Sequence, residues 1–302
     1  MKRLCCILGI CLTAAVWGRA QERHALLVGV SDYPAASGWS KLHADSDVRL
    51  LRETLLAIDA GFHIRELEDR QATYQGIVRA MQEMASTVQE GDQCLILFSC
   101  HGQQITDIDG DERQRKVHDR FDESVVPYDA LIAYDWHGSG YKGEYHLRDD
   151  ELNILLGGIR QSIGPEGQLI VLFDACHSGD MSRAKKELSE PSASPRRGTS
   201  DAFRIPVSGE IRAKGIETQS VDWLAISACE EYKNNYEVKI DGRWYGRLSY
   251  AFCQVFHKGM TADELVRAIG ALYKTLPNDP DKPIQTMTYE CPINRKKIPL
   301  LK

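Results

Sequence analysis

Two stretches of this 302-residue chain share one pattern: residues 94–102 read CLILFSCHG and residues 169–179 read LIVLFDACHSG. In each, a continuous apolar run ends in polar residues and a glycine. Such a run predicts a strand that is buried on both faces, as in a parallel sheet. Open α/β sheets carry their binding and catalytic groups at the carboxyl ends of these strands. The two stretches therefore predict a site at the ends of two strands of one sheet.

Short apolar runs alternate with amphipathic helical patterns along the rest of the chain. This alternation predicts an α/β fold with a mainly parallel sheet. The predicted strands lie at residues 24–30, 62–67, 93–100, 169–176, 223–229 and 285–291. Predicted helices cover residues 47–60 and about 247–257, and three more begin at Thr73, near Asp149, and at Thr261, which forms a capping box with Glu264.

Two stretches break this alternation. Residues 103–144 are rich in Asp and Gly, which predicts surface loops with short hairpins. Residues 181–220 combine Pro and Ser with eight Lys or Arg residues. This composition predicts an exposed, mobile insertion whose basic side chains lie in solvent.

The first twenty residues have the pattern of a secretory signal peptide. Lys2 and Arg3 precede an apolar run over residues 4–17, and small residues flank Arg19 in Gly18-Arg19-Ala20. We expect cleavage after Ala20, one mature domain over residues 21–302, and export to the periplasm or the extracellular space. Export permits disulfides, but the chain contains no CxxC pair that would indicate a zinc or thioredoxin motif.

The charge of the chain bears on its partners. The formal net charge is -6 and no basic run is present outside the signal segment and the insertion. An acidic chain of this kind disfavours nucleic acid and anionic membranes as partners, so we expect no membrane association once the signal is removed.

The polar residues that follow the two apolar runs suit nucleophilic catalysis. If the two strands are neighbours, His101 and Cys176 face each other across one crevice. A thiolate attacks a carbonyl carbon, and an imidazole takes and returns the proton. The backbone N–H groups of Gly102 and Cys176 are placed to stabilise the oxyanion that forms. This chemistry requires no cofactor.

Side chains in a strand alternate between its two sides, which places two further groups in this crevice. Ser99 projects on the side of His101, and Asp174 on the side of Cys176. A buried carboxylate is costly unless it is paired with a cation. The substrate side chain that binds there is therefore expected to be Arg or Lys.

These motifs together resemble the caspase-like clan of cysteine peptidases (peptidase family C14), and within it the metacaspase branch. The matching segments are residues 42–47, 99–102, 122–123, 126–127, 129, 149–152 and 174–179, with a weaker match at 226–229, 245–246 and 249–250. The resemblance implies a caspase-like three-layer sandwich, in which helices flank a six-stranded, mainly parallel sheet. It also implies a cysteine-type endopeptidase that acts on polypeptides.

Carried over residue by residue, the resemblance implies Cys176 as nucleophile and His101 as general base. It implies a pocket for a basic side chain formed by Asp47, Ser99 and Asp174, and a calcium site formed by Asp122, Asp149 and Asp150, so that calcium is a possible activator. For two of these acids a structural role is an alternative. Asp149 would cap a helix, and Asp47 would complement a helix dipole.

The chain departs from the family pattern at several positions. Cys100 stands where the family usually has glycine, and Ala44 where it often has cysteine. Arg183 stands near an expected calcium-binding acid, for which Asp180 is the nearest substitute. These departures affect the expected calcium binding more than the expected catalytic roles of Cys176 and His101. Cys100 and His177 are predicted to be structural.

The sequence leaves two functions open. The first is a secreted cysteine endopeptidase that cleaves after Arg or Lys and cleaves itself between residues 183 and 214, where basic residues are accessible. The alternative is a catalytically silent binding module that has kept the fold. A cysteine phosphatase loop is excluded because it needs five residues between Cys and Arg, whereas six separate Cys176 from Arg183.

Overall fold

The computed structural model describes residues 20–108, 121–176, 194–199, 201–206, 222–230, 233–280, 282 and 284–301. Its strands are β1 (Arg23–Gly29), β2 (Phe62–Glu68), β3 (Gln93–Ser99), β4 (His101–Thr106), β5 (Phe121–Val126), β6 (Leu147–Arg148), β7 (Gln168–Asp174), β8 (Leu224–Ser227), β9 (Val238–Ile240), β10 (Arg243–Tyr245) and β11 (Thr288–Glu290). Its helices are α1 (Ala44–Ile58), α2 (Tyr74–Thr87), α3 (Asp149–Ile163), α4 (Arg247–Val255) and α5 (Ala262–Tyr273).

The main sheet has six strands in the order β11-β8-β7-β3-β1-β2. All neighbouring strands are parallel except β11, which runs antiparallel to β8 at one edge. Each strand of the predicted parallel sheet is present, and the α/β class is confirmed. The last predicted strand, at 285–291, is shorter than expected because pairing with β8 extends over only Thr288–Glu290.

The two faces of the main sheet form two hydrophobic cores. Alternate residues of β3, such as Ile96 and Phe98, pack with α2 and α3 on one face. Their neighbours Leu95 and Leu97 pack with α1, α4 and α5 on the other. A strand covered by helices on both faces has no polar side to show, which explains its continuous apolar run. The result is a three-layer sandwich.

Several predicted helix ends are confirmed and one is not. Thr73 caps α2 by accepting a hydrogen bond from Gly76 N, and Thr261 forms the predicted capping box with Glu264. Helix α1 begins at Ala44, three residues before the predicted start at Asp47. The reason is a distant contact, because Ser31 Oγ accepts a hydrogen bond from the N–H of Asp45 at 2.8 Å. That partner satisfies a donor in the first turn of the helix.

A second, smaller sheet contains short antiparallel strands, as predicted within residues 103–144, but it is partly buried, whereas surface loops were predicted. Strands β4, β5 and β6 form an antiparallel sheet in this order. Residues 102–105 in β4 are buried, and Ile105 joins the core beneath α3. The Asp and Gly content of this stretch gave no sign of the burial of β4.

The insertion predicted at 181–220 is described only over residues 194–199 and 201–206, which we call the linker. Arg196 forms an antiparallel bridge with Tyr236, and Phe203 forms a parallel bridge with Ile105. The linker therefore lies against the domain on both sides of residue 198. Among the described residues, no helix has the length and apolar character needed to span a bilayer. The signal segment at 1–20 lies, apart from Ala20, outside the described residues.

Candidate active site

The register between β3 and β7 aligns the two motifs. Ser99 pairs with Asp174 at the carboxyl ends of these parallel strands. The chain then continues to His101 on one side and Cys176 on the other. The two segments touch, because a Cβ atom built on Gly102 would lie 1.9 Å from the carbonyl oxygen of Cys176. The structure therefore has the predicted geometry: β3 and β7 are neighbours, and His101 and Cys176 lie at the same edge of the sheet.

The ring of His101 is held in one orientation and one tautomer. Its Nε2 lies 2.8 Å from the backbone carbonyl oxygen of Ser40. A carbonyl oxygen can only accept, so Nε2 carries the proton and Nδ1 has a free lone pair. Trp39 stacks on the ring at 4.8 Å, and the hydroxyl of Tyr33 accepts a hydrogen bond from the backbone N–H of His101. Nδ1 has no hydrogen-bond partner among the described residues, so it is available to accept a proton.

Burial sets the proton affinity of this ring. His101 is 1% exposed, and this burial lowers its pKa to about 4 although the Ser40 carbonyl opposes the shift. Desolvation disfavours the charged imidazolium. The ring is therefore neutral at neutral pH, which is the form that a general base needs.

The thiol of Cys176 lies in a cradle of backbone groups. Its Sγ donates to the carbonyl oxygen of Lys233 at 3.3 Å and accepts from the N–H of Asn235 at 3.4 Å. The backbone N–H of Cys176 donates to the carbonyl oxygen of Arg197 at 2.8 Å, and the N–H of Gly102 donates to the same oxygen at 3.4 Å. The two N–H groups predicted for an oxyanion thus hold the carbonyl of a peptide bond of the chain itself.

The peptide bond after that carbonyl lies beside the sulfur. A Cβ atom built on Gly198 would lie 3.3 Å from Cys176 Sγ and 2.6 Å from Cys176 Cβ. Its φ of +154° is also a conformation that other residues rarely adopt. Glycine is therefore the residue that fits between Cys176 and Gly102 at this point.

The side chain of Arg197 fills the predicted pocket. Nη2 lies 2.6 Å from Asp47 Oδ2, and Nη1 lies 2.7 Å from Ser99 Oγ and 3.0 Å from the carbonyl oxygen of Asp174. Nη2 also donates to Glu237 Oε1 at 3.0 Å. Arg197 is completely buried, so the expectation that the basic residues of the insertion lie in solvent is wrong for this one. Buried carboxylates explain why, since they require a cation.

The charges in this pocket depend on one another. Burial opposes the charge of Arg197, but Asp47, Asp174 and Glu237 together raise its pKa. Burial likewise opposes ionisation of Glu237, yet Arg197 and His43 hold its pKa below the ordinary value. Burial raises the pKa of Asp47 to about 7, against the effect of Arg197. The pocket therefore binds one cation with three carboxylates.

The backbone around Arg197 is held as an added strand. The N–H of Arg197 donates to the carbonyl oxygen of Asn235 at 2.9 Å, and the carbonyl oxygen of Pro195 accepts from the N–H of Glu237 at 2.8 Å. Antiparallel pairing of this kind is a common way to bind an extended peptide, because it reads the backbone and leaves the side chains to pockets.

The structure brings the predicted nucleophile, base, oxyanion donors and pocket residues to this one site: Cys176, His101, Gly102, Asp47, Ser99 and Asp174. Asp47 serves both proposed roles, since it lies in the first turn of α1 and also binds Arg197. Cys100 is buried in the core beside α2 and α3, in keeping with a structural role. His177 lies outside the described residues.

Sequence reasoning missed four contributors to the site: Ser40, Glu237, Gly246 and Arg197. Ser40 follows β1, the neighbour of β3, so the same edge rule could have found it. Gly246 forms a pocket wall, because a Cβ there would lie 2.2 Å from Asp174 Oδ2. Glu237 lies in a segment without a strand pattern, and no local signal distinguishes it from a surface acid.

The three residues predicted to bind calcium do not form a compact group. Asp122 pairs with Arg148 through Oδ2, while its buried Oδ1 has no hydrogen-bond partner among the described residues. Burial raises the pKa of Asp122 to about 7. Asp149 is the first residue of α3, and the capping position belongs to Arg148. Calcium binding by Asp122, Asp149 and Asp150 stays a prediction, and Arg183 and Asp180 lie outside the described residues.

Among the described residues, a different group of side chains is close enough together to bind a metal ion. Glu22, His24 and Asp92 bring one ligand atom each within 4.8 Å of one another. They lie at the amino ends of β1 and β3, opposite the edge that carries Cys176. Within the part of the chain that the structure describes, Cys94, Cys100, Cys253 and Cys291 are free thiols.

Comparisons with known proteins identify the family of the chain. The sequence profile of the peptidase C14 caspase domain matches residues 22–298. Metacaspase-1 of Yarrowia lipolytica is 29% identical over 213 residues, which cover 61% of this chain and 42% of the relative. Metacaspase-1A of Aspergillus fumigatus is 25% identical over 218 residues, covering 62% and 48%. The chain thus matches less than half the length of these curated relatives.

A solved structure supports the fold. The crystal structure of a Geobacter sulfurreducens protein superposes with a TM-score of 0.58 at 19% sequence identity, covering 93% of this chain and 98% of that one. At this identity the likeness concerns the fold alone. With the family profile, it identifies the three-layer α/β architecture as a caspase-like sandwich.

The buried ring of His101 leads to a prediction about its titration. The unfolded chain binds this proton near pH 6.5, whereas the folded chain binds it only near pH 4. The folded state therefore loses stability as the pH falls through this interval. Nitrogen-15 NMR of the Cys176→Ala protein should show a His101 midpoint near pH 4, with Nδ1 unprotonated at pH 7.

The Arg197→Gly variant is the matched control for that titration. The positive charge of Arg197 is one of the causes that lower the pKa of His101, so its removal should move the midpoint towards 6.5. A midpoint near 6.5 in both proteins would contradict the described burial of His101.

Proposed function

Because this chain belongs to the caspase-domain family, we propose that it is a cysteine endopeptidase that cleaves polypeptides after arginine, with Cys176 as nucleophile and His101 as general base. The observation that carries the proposal is the position of Arg197. Its carbonyl oxygen lies on the N–H groups of Cys176 and Gly102, and its guanidinium lies among the pocket carboxylates. This is how a substrate would lie before attack.

The reaction follows from these positions. His101 Nδ1 takes the proton of the Cys176 thiol, and the sulfur attacks the carbonyl carbon of the arginine. The N–H groups of Cys176 and Gly102 stabilise the oxyanion. When the carbon–nitrogen bond breaks, its electron pair leaves with the amine, which takes the proton from His101. Water then attacks the thioester with His101 again as base, releasing the carboxylic acid and the thiol.

The pocket favours arginine over lysine. Nη1 and Nη2 of the bound guanidinium reach different partners, with Ser99 and the Asp174 carbonyl on one side and Asp47 and Glu237 on the other. A planar fork can satisfy these partners together, whereas an ammonium group is a single point with three donors. Lysine is therefore accepted less well, and an acidic side chain is repelled.

Self-cleavage follows from the same geometry. The bond between Arg197 and Gly198 lies within the 183–214 window and beside Cys176 Sγ. While this bond is intact, Arg197 occupies the pocket that a substrate needs. The uncleaved chain is thus its own first substrate and also blocks other substrates.

The alternative, a catalytically silent module that binds basic peptides, would use the same pocket without turnover. It differs from the enzyme in one outcome, because a silent module leaves the Arg197–Gly198 bond intact. We further propose polypeptides as the partners and export as the location. The second proposal depends on the signal pattern at residues 1–20.

Cleavage of short reporters tests the chemistry and the specificity. The linker-cleaved protein is given fluorogenic amides of Ser-Pro-Arg-Arg, Ser-Pro-Arg-Lys and Ser-Pro-Arg-Asp, which copy or alter residues 194–197. We expect kcat/KM to be about tenfold or more higher for Arg than for Lys, with no cleavage after Asp. Cys176→Ala, whose linker is first cut after Arg197 by trypsin that is then removed, should lower the Arg rate by at least about a thousandfold.

Cys291→Ala is the matched control for the nucleophile, because this half-buried thiol lies on the far edge of the sheet after β11. Its rate should equal that of the wild type. Turnover that survives in Cys176→Ala would refute the proposed nucleophile. A preference for the Asp reporter would refute the acidic pocket.

Intact-mass analysis of the purified chain tests self-cleavage at one bond. The wild type should yield a fragment of residues 198–302, and Cys176→Ala should stay uncut. Gly198→Ala should slow the cut by at least about tenfold, since the added Cβ meets Cys176 and Gly102. Gly270→Ala is the matched control, because a Cβ there meets nothing within 4 Å. A cut at another bond, or equal rates in the two glycine variants, would exclude the proposed position of the linker.

A further inference from the structure

The linker stays on the protein beyond the bond that is cleaved. Phe203 is the sixth residue after that bond, counting Gly198 as the first, and it is 1% exposed. Its neighbours Asp201 and Arg204 are exposed. One deeply buried aromatic side chain in an exposed segment indicates a specific contact, because a large apolar surface gains the most from leaving water.

Phe203 lies in a pocket of the small sheet, which we call the aromatic pocket. Its ring meets Tyr141 edge-on, with 5.6 Å between the ring centres, and lies 4.8 Å from the ring of His146. Gly143 forms the floor, since a Cβ there would lie 3.0 Å from Phe203 and 2.8 Å from Ile105. The φ of Gly143, +92°, also favours glycine. Glycine at position 143 therefore leaves room for the ring of Phe203, whereas the side chain of any other residue there would occupy that space.

The aromatic pocket is held in shape by contacts that do not involve the linker. His146 Nδ1 lies 2.9 Å from the hydroxyl of Tyr141, and His146 Nε2 lies 2.8 Å from Gln103 Oε1. Burial lowers the pKa of His146 to about 3, so the ring is neutral at ordinary pH. Gln103 Nε2 then binds the carbonyl oxygen of Asp201 at 2.8 Å. A fixed polar rim thus orients the backbone that leads to Phe203.

The edge strand β4 binds the backbone of this segment. The N–H of Phe203 donates to the carbonyl oxygen of Gln104 at 2.7 Å, and the carbonyl oxygen of Phe203 accepts from the N–H of Thr106 at 2.9 Å. The N–H of Ile205 donates to Thr106 Oγ1 at 2.9 Å. In the described sheet β4 is an edge strand, which is the element that extended peptides join.

From these contacts we propose that the aromatic pocket is a second substrate subsite, which takes an aromatic side chain at the sixth position after the cleaved bond. Phe203 of the chain's own linker is its first occupant. The inference rests on the proposed function, because a cleaved bond defines the position. When the aromatic side chain binds in this pocket, it holds the scissile bond in the crevice beside Cys176. Contacts far from Cys176 therefore accelerate the cleavage.

Substitution of Phe203 tests the subsite during self-cleavage. Phe203→Ala should slow the cut at Arg197–Gly198 on the order of tenfold, and Phe203→Leu should give an intermediate rate. Arg204→Ala is the matched control, because its side chain is exposed in the same segment. It should cleave at the wild-type rate. Equal rates in Phe203→Ala and Arg204→Ala would overturn the proposal.

A peptide substrate tests the subsite in trans. The linker-cleaved Phe203→Ala enzyme, whose own ligand is removed, is given the peptide of residues 194–205, SPRRGTSDAFRI, or the same peptide with Ala for Phe. We expect KM to rise on the order of tenfold for the Ala peptide, while cleavage of the short Ser-Pro-Arg-Arg reporter equals that of the wild type. Equal KM values would overturn the subsite. If Phe203→Ala loses the reporter rate, that variant is misfolded, and the Phe203→Leu enzyme takes its place in the same comparison.

A third readout needs no activity of this protein. In the Cys176→Ala background, trypsin should cut after Arg197 on the order of tenfold faster when Phe203 is also Ala. If the wild type cleaves neither linker nor reporter, the proposed function fails, and trypsin protection by Phe203 still decides whether the pocket binds. Equal trypsin rates with and without Phe203 would refute the pocket.

Discussion

A single buried guanidinium orders the active site. Three carboxylates, Asp47, Asp174 and Glu237, converge from α1, from β7 and from the segment before β9, and Arg197 is the cation that they share. Leaving a buried charge without its partner is far more costly than losing an ordinary contact. The pocket therefore requires a cation, which Arg197 supplies. In the proposed function, the arginine of a substrate takes this place and brings its peptide bond to Cys176.

The same constraint connects specificity with control. In the proposed function, the pocket that selects arginine in a substrate also retains Arg197, whose carbonyl lies on the N–H groups of Cys176 and Gly102. The intact linker then competes with every other substrate as an intramolecular ligand, at a high effective concentration. In the same proposal, self-cleavage converts this ligand into a chain end that can leave. On this account activation consists of emptying the pocket, with no rearrangement of the strands that carry His101 and Cys176.

Much of the fold could be predicted from the sequence because its signals are local. The apolar runs of β3 and β7 identified the central strands, and the edge rule brought His101 to Cys176 from segments seventy-five residues apart in the sequence. Thr73 and Thr261 marked helix starts through cap patterns that extend over a few residues. The apolar runs and the cap patterns can be read from short segments, because each reflects the burial or the hydrogen bonding of that segment itself.

What could not be predicted depends on contacts between distant segments. Glu237 belongs to the site through the pairing of its segment with the linker, and it carries no pattern of its own. Arg197 was expected in solvent because basic, Pro- and Ser-rich composition is typical of mobile insertions. Its burial depends on three carboxylates that no window of sequence contains together. The burial of β4 was missed for a similar reason, since this strand pairs with β5 and with the distant linker.

Alkylation of Cys176 tests most directly the claim that Arg197 occupies the site of the uncleaved chain. In a His101→Ala background, which stops cleavage, iodoacetamide modification of each cysteine is followed by peptide mass spectrometry. Cys176 is completely buried beneath the linker, so its modification should be slow and should accelerate by about tenfold or more in Arg197→Gly. Cys94, which is buried in the core, should be unaffected. Equal alkylation of Cys176 with and without Arg197 would show that the arginine does not cover the thiol.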